Sequence, residues 1–242
     1  MGFFAMGTQA NMVAAALDAS LEYLLEDVPS SEFGTPGGFS APQWTEDGII
    51  HVTISSRRQQ LTGTRPDGET DLIASVLGGA AFTATRDGRH IAVLARAGED
   101  AGLPVFAQEA PILRGGRLAV VDTREGSFVE VESAAVVAFS WDPSGQRLLV
   151  LEVTDAGAFR WRVWEDGASR VFPDFIPAPG FLRDFAPFFD QYAQSTTLWS
   201  PGGTAFAYPG SVAGVEGIWR QDLEGSDPVR VAGGTWVAWS SG

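Results

Sequence analysis

The chain has 242 residues, of which 45% are hydrophobic and 19% are charged, and these apolar side chains suffice for a core, which excludes a wholly disordered protein. Its 16 basic residues against 30 acidic ones give a formal net charge of −14, the wrong sign for a nucleic acid partner. It contains no cysteine, which excludes disulfides, thiolate metal ligands and cysteine nucleophiles.

The N-terminal residues 1–17 are apolar, but no basic residue precedes the apolar stretch and the first charge of any kind is Asp18. A secretory signal peptide needs a basic region at its start, so none is predicted. Further along, no window of about 18 uninterrupted apolar residues exists, so no membrane span is predicted. We expect a cytoplasmic protein as the chain is written, and an extracytoplasmic one if further residues precede Met1.

Residues 11–28 carry two conflicting patterns. Leucines at helical spacing follow Asn11, a suitable N-cap, and indicate a helix. In that helix Asp18, Glu22 and Glu26 would place like charges on successive turns, which is unfavourable. The alternation of side chains that begins at Leu21 favours strands, and the helix is the alternative.

A repeat runs along most of the chain. Each copy has a short apolar strand, a turn rich in Pro, Asp or Gly, and a second strand with alternating apolar residues. The clearest copies begin at Phe82, Phe139 and Leu198, a fourth begins at Gln43, and a weaker one begins at Phe4. The last residues, 236–242, look like the opening strand of one more copy.

A second hairpin follows each clear opening pair. These hairpins cover residues 117–131, 159–172 and 217–231, and their strands alternate with a period of two. Four antiparallel strands in roughly 40 residues are the signature of one β-propeller blade. Insertions near residues 98–116 and 173–191 account for the longer spacings between copies.

The opening strands of two copies carry a resemblance to a known family. Phe139-Ser-Trp-Asp-Pro-Ser-Gly145 and Leu198-Trp-Ser-Pro-Gly-Gly203 resemble the Trp-Ser-Pro-Asp-Gly repeat of TolB-type bacterial β-propellers. Residues 181–195, which lead into Leu198, are similar to a stretch in TolB-like proteins of unknown role. The resemblance implies a propeller that usually has six blades. It implies no particular binding residue, since such blades occur in translocation proteins and in peptidase lid domains.

Four tryptophans sit at equivalent repeat positions: Trp44, Trp141, Trp199 and Trp239. Large aromatic rings at these positions are expected to cover the apolar faces that neighbouring blades share. Stacking on carbohydrate is the alternative role.

The predicted fold is therefore all-β, a single domain over residues 1–242 built as a propeller of four-stranded antiparallel blades. About five blades are recognisable, so an incomplete six-bladed propeller is an alternative. An open array leaves strand edges unpaired. We expect residues 236–240 to pair beside the strand near residues 3–6, and otherwise a homodimer or a missing segment.

The sequence offers little material for catalysis, metal binding or a cofactor. No Gly-x-Ser-x-Gly nucleophile motif and no phosphate-binding Gly-Lys motif exists, and both histidines, His51 and His90, fall in predicted strands. We predict no catalytic residue, no metal ligand and no cofactor. The alternative is a hydrolase with carboxylates at the central channel, drawn from Glu152, Asp155, Asp184 and Asp190.

The aromatic insertion between residues 172 and 192 is the most informative segment. Its rings either pack back onto the blades or stay exposed as a patch that binds a partner. On the second interpretation the chain is a non-catalytic interaction propeller, which binds a protein or peptide at the channel mouth and through this insertion. The predicted binding residues are Phe181, Arg183, Asp184, Phe185, Phe188, Phe189, Asp190 and Tyr192.

Overall fold

The computed structural model describes residues 2–6, 12–16, 22–25, 41–55, 58–76, 79–95, 112–113 and 117–239. The contacts within the chain divide it into two compact units, residues 1–130 and residues 131–242. That the whole chain forms one domain stays a prediction. Most of the predicted insertion near residues 98–116 lies outside the described residues.

The first unit is built from strands. Their bounds are β1 Gly2–Met6, β2 Met12–Ala16, β3 Glu22–Leu25, β4 Gln43–Thr45, β5 Gly48–Ser55, β6 Arg58–Thr64, β7 Thr70–Val76, β8 Ala80–Ala84, β9 His90–Ala95, β10 Ile112–Leu113, β11 Arg117–Asp122 and β12 Ser127–Val131.

These strands form three sheets. Sheet 1 has the order β1-β2-β3 and is antiparallel, so the strand interpretation of residues 11–28 holds where the structure describes them. Sheet 2 has the antiparallel order β7-β6-β5-β4, with the two-residue β10 added parallel to β7. Sheet 3 has the order β12-β11-β9-β8.

The second unit contains two four-stranded antiparallel sheets. Sheet 4 runs β13-β14-β15-β16, and sheet 5 runs β17-β18-β19-β20. The strands are β13 Ala135–Trp141, β14 Leu148–Val153, β15 Phe159–Glu165, β16 Ala168–Val171, β17 Ile176–Pro177, β18 Ala205–Val212, β19 Val215–Asp222 and β20 Val229–Ala232. Each of these sheets follows the chain from its first to its fourth strand, as the repeat predicts. The prediction of an all-β propeller built from antiparallel blades is confirmed.

The turn between the first two strands of a blade is fixed by local hydrogen bonds. In sheet 4 the carboxylate of Asp142 accepts the backbone N–H of Gln146 and of Arg147, at 2.9 and 3.0 Å. Gly145 lies in this turn with φ of 71°, and Gly203 lies in the matching turn of sheet 5 with φ of 65°. Glycine adopts this left-handed conformation without steric cost, so the turn selects it.

The two units fill their sheet interfaces with different side chains. Between sheets 2 and 3 the buried cluster is mainly aliphatic: Ile50, Val52, Leu61, Ala74, Val76, Ala80, Phe82, Ile91, Val93, Ala95, Ala119 and Val121. Between sheets 4 and 5 the buried rings are aromatic: Trp161, Phe172, Phe175, Phe181, Phe206 and Tyr208. Trp161 is central here, with Phe206 and Tyr208 of sheet 5 at 5.6 and 5.8 Å between ring centroids.

The equivalent tryptophans make equivalent bonds within the second unit. The indole N–H of Trp199 donates to the carbonyl oxygen of Ser140 at 3.2 Å, and Ser140 directly precedes Trp141. The indole N–H of Trp239 donates to the carbonyl oxygen of Leu198 at 2.7 Å, and Leu198 directly precedes Trp199. Each tryptophan thus fastens its segment to the preceding first strand.

The prediction of a strand at the C-terminal end is wrong for the residues that the structure describes. Residues 236–239 carry no strand pairing, although Trp239 makes the bond expected for its place in the repeat. The reason is that a strand needs a ladder of backbone hydrogen bonds, whereas the bond that holds this segment comes from the side chain of Trp239.

Candidate interaction site

The first strand of sheet 5 is interrupted. Its first part, β17, pairs with Gly210 and Ser211 of β18, and the N–H of Ala178 donates to Pro209 at 3.1 Å. The pairing resumes at Leu198, whose carbonyl oxygen accepts the N–H of Ala207 at 2.9 Å. Residues 179–197 therefore leave the sheet between two nearly adjacent pairing positions, and we call them the insert.

Short helical turns make up the insert. Helix α1 covers Pro179–Asp184, a 3₁₀ turn covers Ala186–Phe188, and α2 covers Phe189–Tyr192. Pro179 occupies the first turn of α1, where its missing N–H costs no hydrogen bond. The prolines and the brevity of each turn prevent one continuous helix, and the insert folds back on the sheets instead.

Three of the predicted binding residues are buried rings: Phe181, Phe185 and Phe189. Phe181 lies edge-on to Trp161 at 6.4 Å and stacks on Phe185 at 5.0 Å. Phe189 packs on Phe139 of β13 at 4.6 Å. For these rings the structure follows the interpretation in which they pack onto the blades, because each finds an aromatic partner inside the unit. Phe188 is half-buried.

Three other predicted residues are exposed: Arg183, Asp184 and Tyr192. The guanidinium of Arg183 donates Nε and Nη2 to the two carboxylate oxygens of Asp184 at 2.7 and 2.6 Å. These hydrogen bonds, with the charge of Arg183, lower the pKa of Asp184 against a smaller opposing effect of burial. Asp190, by contrast, is buried on α2.

Trp236 borders this surface and was missed by sequence reasoning, which placed it in a terminal strand. Its ring lies edge-on to Phe185, with 5.7 Å between centroids, while Tyr192 stacks on Phe185 at 5.8 Å. Trp236 is 51% exposed and Tyr192 is 37% exposed. No spacing rule joins Tyr192 to Trp236, so only the fold brings the two rings to one buried phenyl group.

The four carboxylates considered for hydrolysis have different environments. Glu152 is fully buried and accepts Nε of Arg160 at 2.6 Å, Nη2 of Arg162 at 3.1 Å and the N–H of Ala134 at 2.9 Å. Burial raises the pKa of Glu152, but the bonds from Arg162, Arg160 and Ala134 outweigh it and hold the pKa below its usual value. Asp155 is exposed in a turn.

The two histidines have different surroundings. His51 is buried on β5, its Nε2 lies 2.9 Å from Thr64 Oγ1, and burial lowers its pKa to about 4. His90 lies 3.5 Å from the carboxylate of Asp122 through its Nε2. Within the ranges that the structure describes, no group of three or more His, Cys, Asp or Glu side chains is placed to hold a metal ion.

A cleft lies beside the turns of the sheets in each unit. In the second unit the cleft holds about 590 Å³ beside Arg147, Arg170 and Asp222. Arg147 and Arg170 already donate to Gly203 and Gly225, at 3.1 and 2.8 Å. The cleft of the first unit holds about 580 Å³. Arg147 and Arg170 at the cleft of the second unit therefore tie turns together.

Comparisons with known proteins give a fold and no closer relationship. Family models and curated protein sequences give no match to the chain. No helix among the residues described above is both long and apolar enough to cross a membrane.

Solved structures do match. TolB from Acinetobacter baumannii matches with a TM-score of 0.53 at 10% identity, over 94% of this chain and 50% of that one. The β-propeller domain of the Trilobed protease from Pyrococcus furiosus gives 0.57 at 11% identity, over 93% and 65%. A puromycin-hydrolyzing peptidase from Mycobacterium tuberculosis gives 0.53 at 13% identity, over 93% and 34%. The chain thus spans between a third and two thirds of these proteins, and its fold is that of the TolB-like β-propellers.

Proposed function

We propose that this protein is a non-catalytic interaction propeller that binds a protein or peptide partner through the insert. The observation that carries the proposal is the interruption of the first strand of sheet 5 by residues 179–197. A continuous strand would close this sheet without the insert, as β13 closes sheet 4. An insertion held on a rigid sheet is a common carrier of binding residues.

The buried side and the exposed side of the insert have different roles. Buried Phe181, Phe185 and Phe189 anchor the insert to the sheets. Arg183, Asp184 and Tyr192 lie on its exposed side. Aromatic and arginine side chains are over-represented among the residues that contribute most to protein interfaces.

The carboxylate hydrolase is the weaker candidate. A general acid needs a raised pKa, whereas the pKa values of Glu152 and Asp184 are both lowered by arginine partners. Similarity to peptidase propeller domains at 11–13% identity supports the fold and leaves the chemistry open.

Site-specific photo-cross-linking tests the proposal. Because the chain contains no cysteine, one introduced cysteine can be labelled alone. Ser195→Cys places the label on the exposed insert, and Ser226→Cys places it in the exposed turn between β19 and β20 of the same sheet. In extract of the native host, we expect a defined adduct from position 195 and not from position 226.

Competition supplies the control for this experiment. Unlabelled wild-type protein should suppress the adduct, and an Arg183→Glu, Tyr192→Ala double variant should not, because the contact surface is then lost. Equal adducts from both positions would contradict the proposal. So would turnover of a peptide or glycoside substrate that disappears in Glu152→Gln or Asp184→Asn.

A further inference from the structure

Two exposed rings of the second unit, Tyr192 and Trp236, each contact the same buried ring. Phe185 is almost fully buried, and Tyr192 lies parallel to it, with 10° between the ring planes. Trp236 approaches the same ring at 69°. The planes of Tyr192 and Trp236 are therefore steeply inclined to each other. We call these two rings the aromatic corner.

The geometry of the corner suits a positive charge. The face of an aromatic ring carries partial negative charge, so a cation over an exposed ring face is attracted, and Tyr192 and Trp236 offer two exposed rings that both contact Phe185. The same preference operates elsewhere in this unit, where the guanidinium of Arg170 lies 5.2 Å from the ring centre of Phe172.

The charge of the chain favours the same kind of ligand. The formal net charge is −14, which attracts basic partners and repels acidic ones. Asp184, which precedes Phe185 in the sequence, forms an ion pair with Arg183, so the guanidinium of this pair is neutralised and does not oppose an incoming cation.

We propose that the aromatic corner of Tyr192 and Trp236 binds an arginine or lysine side chain of an extended, basic peptide segment in a partner protein. This inference rests on the proposed interaction function and specifies its partner. The long stem of an arginine or lysine packs along the rings while its charged head lies over their faces.

Fluorescence anisotropy with a defined probe tests this inference. The probe is a labelled peptide of about a dozen alternating arginine and serine residues, and its counterpart has glutamine in place of arginine. We expect the arginine peptide to bind and Trp236→Ala and Tyr192→Ala each to weaken it about fivefold, a cation–π effect at a partly exposed site. Trp236→Phe keeps a ring and should lose less.

A matched control separates the corner from general charge attraction. Phe128 on β12 is 39% exposed, much as Tyr192 is, and Phe128→Ala should leave the affinity within about twofold. Circular dichroism confirms that each variant is folded. Equal binding of the glutamine peptide, or an unchanged affinity in folded Trp236→Ala, overturns the inference. Loss of affinity in every variant alike also overturns it.

The outcome is separable from that of the proposed function. If the cross-link from position 195 persists while the arginine peptide fails to bind, the insert binds a partner of other chemistry. If both fail, the interaction function itself is wrong.

Discussion

The two units fill the interface between neighbouring sheets with different kinds of side chain. Sheets 2 and 3 meet through small aliphatic groups such as Val52, Ala74 and Val93. Sheets 4 and 5 meet through rings, with Trp161 in contact with four other aromatic residues. Aliphatic side chains pack closely within the interface between the two sheets. Large aromatic rings reach further, so they can also contact residues outside the sheets.

This difference bears on how the insert of the second unit is held. The ring cluster of the second unit continues outward from Trp161 through Phe181 and Phe185 to Tyr192. The insert is thus an extension of the core and gains burial of its own. Among the described residues of the first unit, the buried cluster between sheets 2 and 3 consists of strand residues alone.

The largest expected effect comes from Trp161→Ala. Removal of this buried ring should destabilise the second unit by about 4 kcal/mol, through lost burial and the cavity left behind. Urea unfolding followed by circular dichroism measures it. Leu61→Ala, at the aliphatic interface, is the counterpart and should cost about 3 kcal/mol. A loss below 1 kcal/mol for Trp161→Ala would show that the ring cluster does not hold the unit together.

The buried ion pairs of sheet 4 give the next effect. Glu152→Gln should cost about 3 kcal/mol, because Arg160 and Arg162 then lose their compensating charge in a buried site. The same substitution at half-exposed Glu165, which pairs with Arg147, should cost below about 1 kcal/mol. Similar losses for the two variants would mean that burial does not decide the strength of these pairs.

Acid should distinguish the units further, since both histidines lie in the first one. The pKa of His51 is about 4 in the folded chain against an ordinary 6.5, so the unfolded chain binds its proton first. Stability present above pH 6.5 is therefore lost as the pH falls toward 4, on the order of 2 kcal/mol by pH 5.

Unfolding at pH 7.5 and at pH 5 measures this loss. His51→Gln should flatten the dependence over that interval. If His51→Gln retains the full dependence, the buried imidazole is not its source.

The smallest effect is expected at the exposed surface of the insert. Asp184→Asn should leave the thermal midpoint unchanged within error, because its pair with Arg183 lies in solvent and is screened. Differential scanning calorimetry measures it, and a clear decrease would show that the exposed side of the insert also supports the fold.

The blade repeat could be predicted because it rests on local signals. Turns such as Pro143-Ser-Gly145 need particular residue types, and alternation in strands such as Phe159–Glu165 follows from their period of two. The interruption of sheet 5 left no comparable signal. Residues 173–191 read as a loop insertion between blades, whereas the pairing places the break inside a strand, between Ala178 and Leu198.

The candidate site was predicted only in part for the same reason. Sequence identifies the aromatic segment, but which of its rings are buried depends on Phe139 and Trp161, which lie in other strands. Trp236 lies more than forty positions beyond Tyr192 and reaches the site only through folding. Local patterns carry no information about such contacts.

The indole bonds of Trp199 and Trp239 carry a consequence for how this chain can change over time. Each joins a side chain on one segment to a main-chain oxygen on the other, and the residues that offer that oxygen, Ser140 and Leu198, differ completely. In each bond only the donor, the tryptophan side chain, depends on the residue type, because every residue has a main-chain carbonyl. A substitution at the accepting position therefore keeps the acceptor of this hydrogen bond, and duplicated blades can diverge there without a matched replacement of the tryptophan.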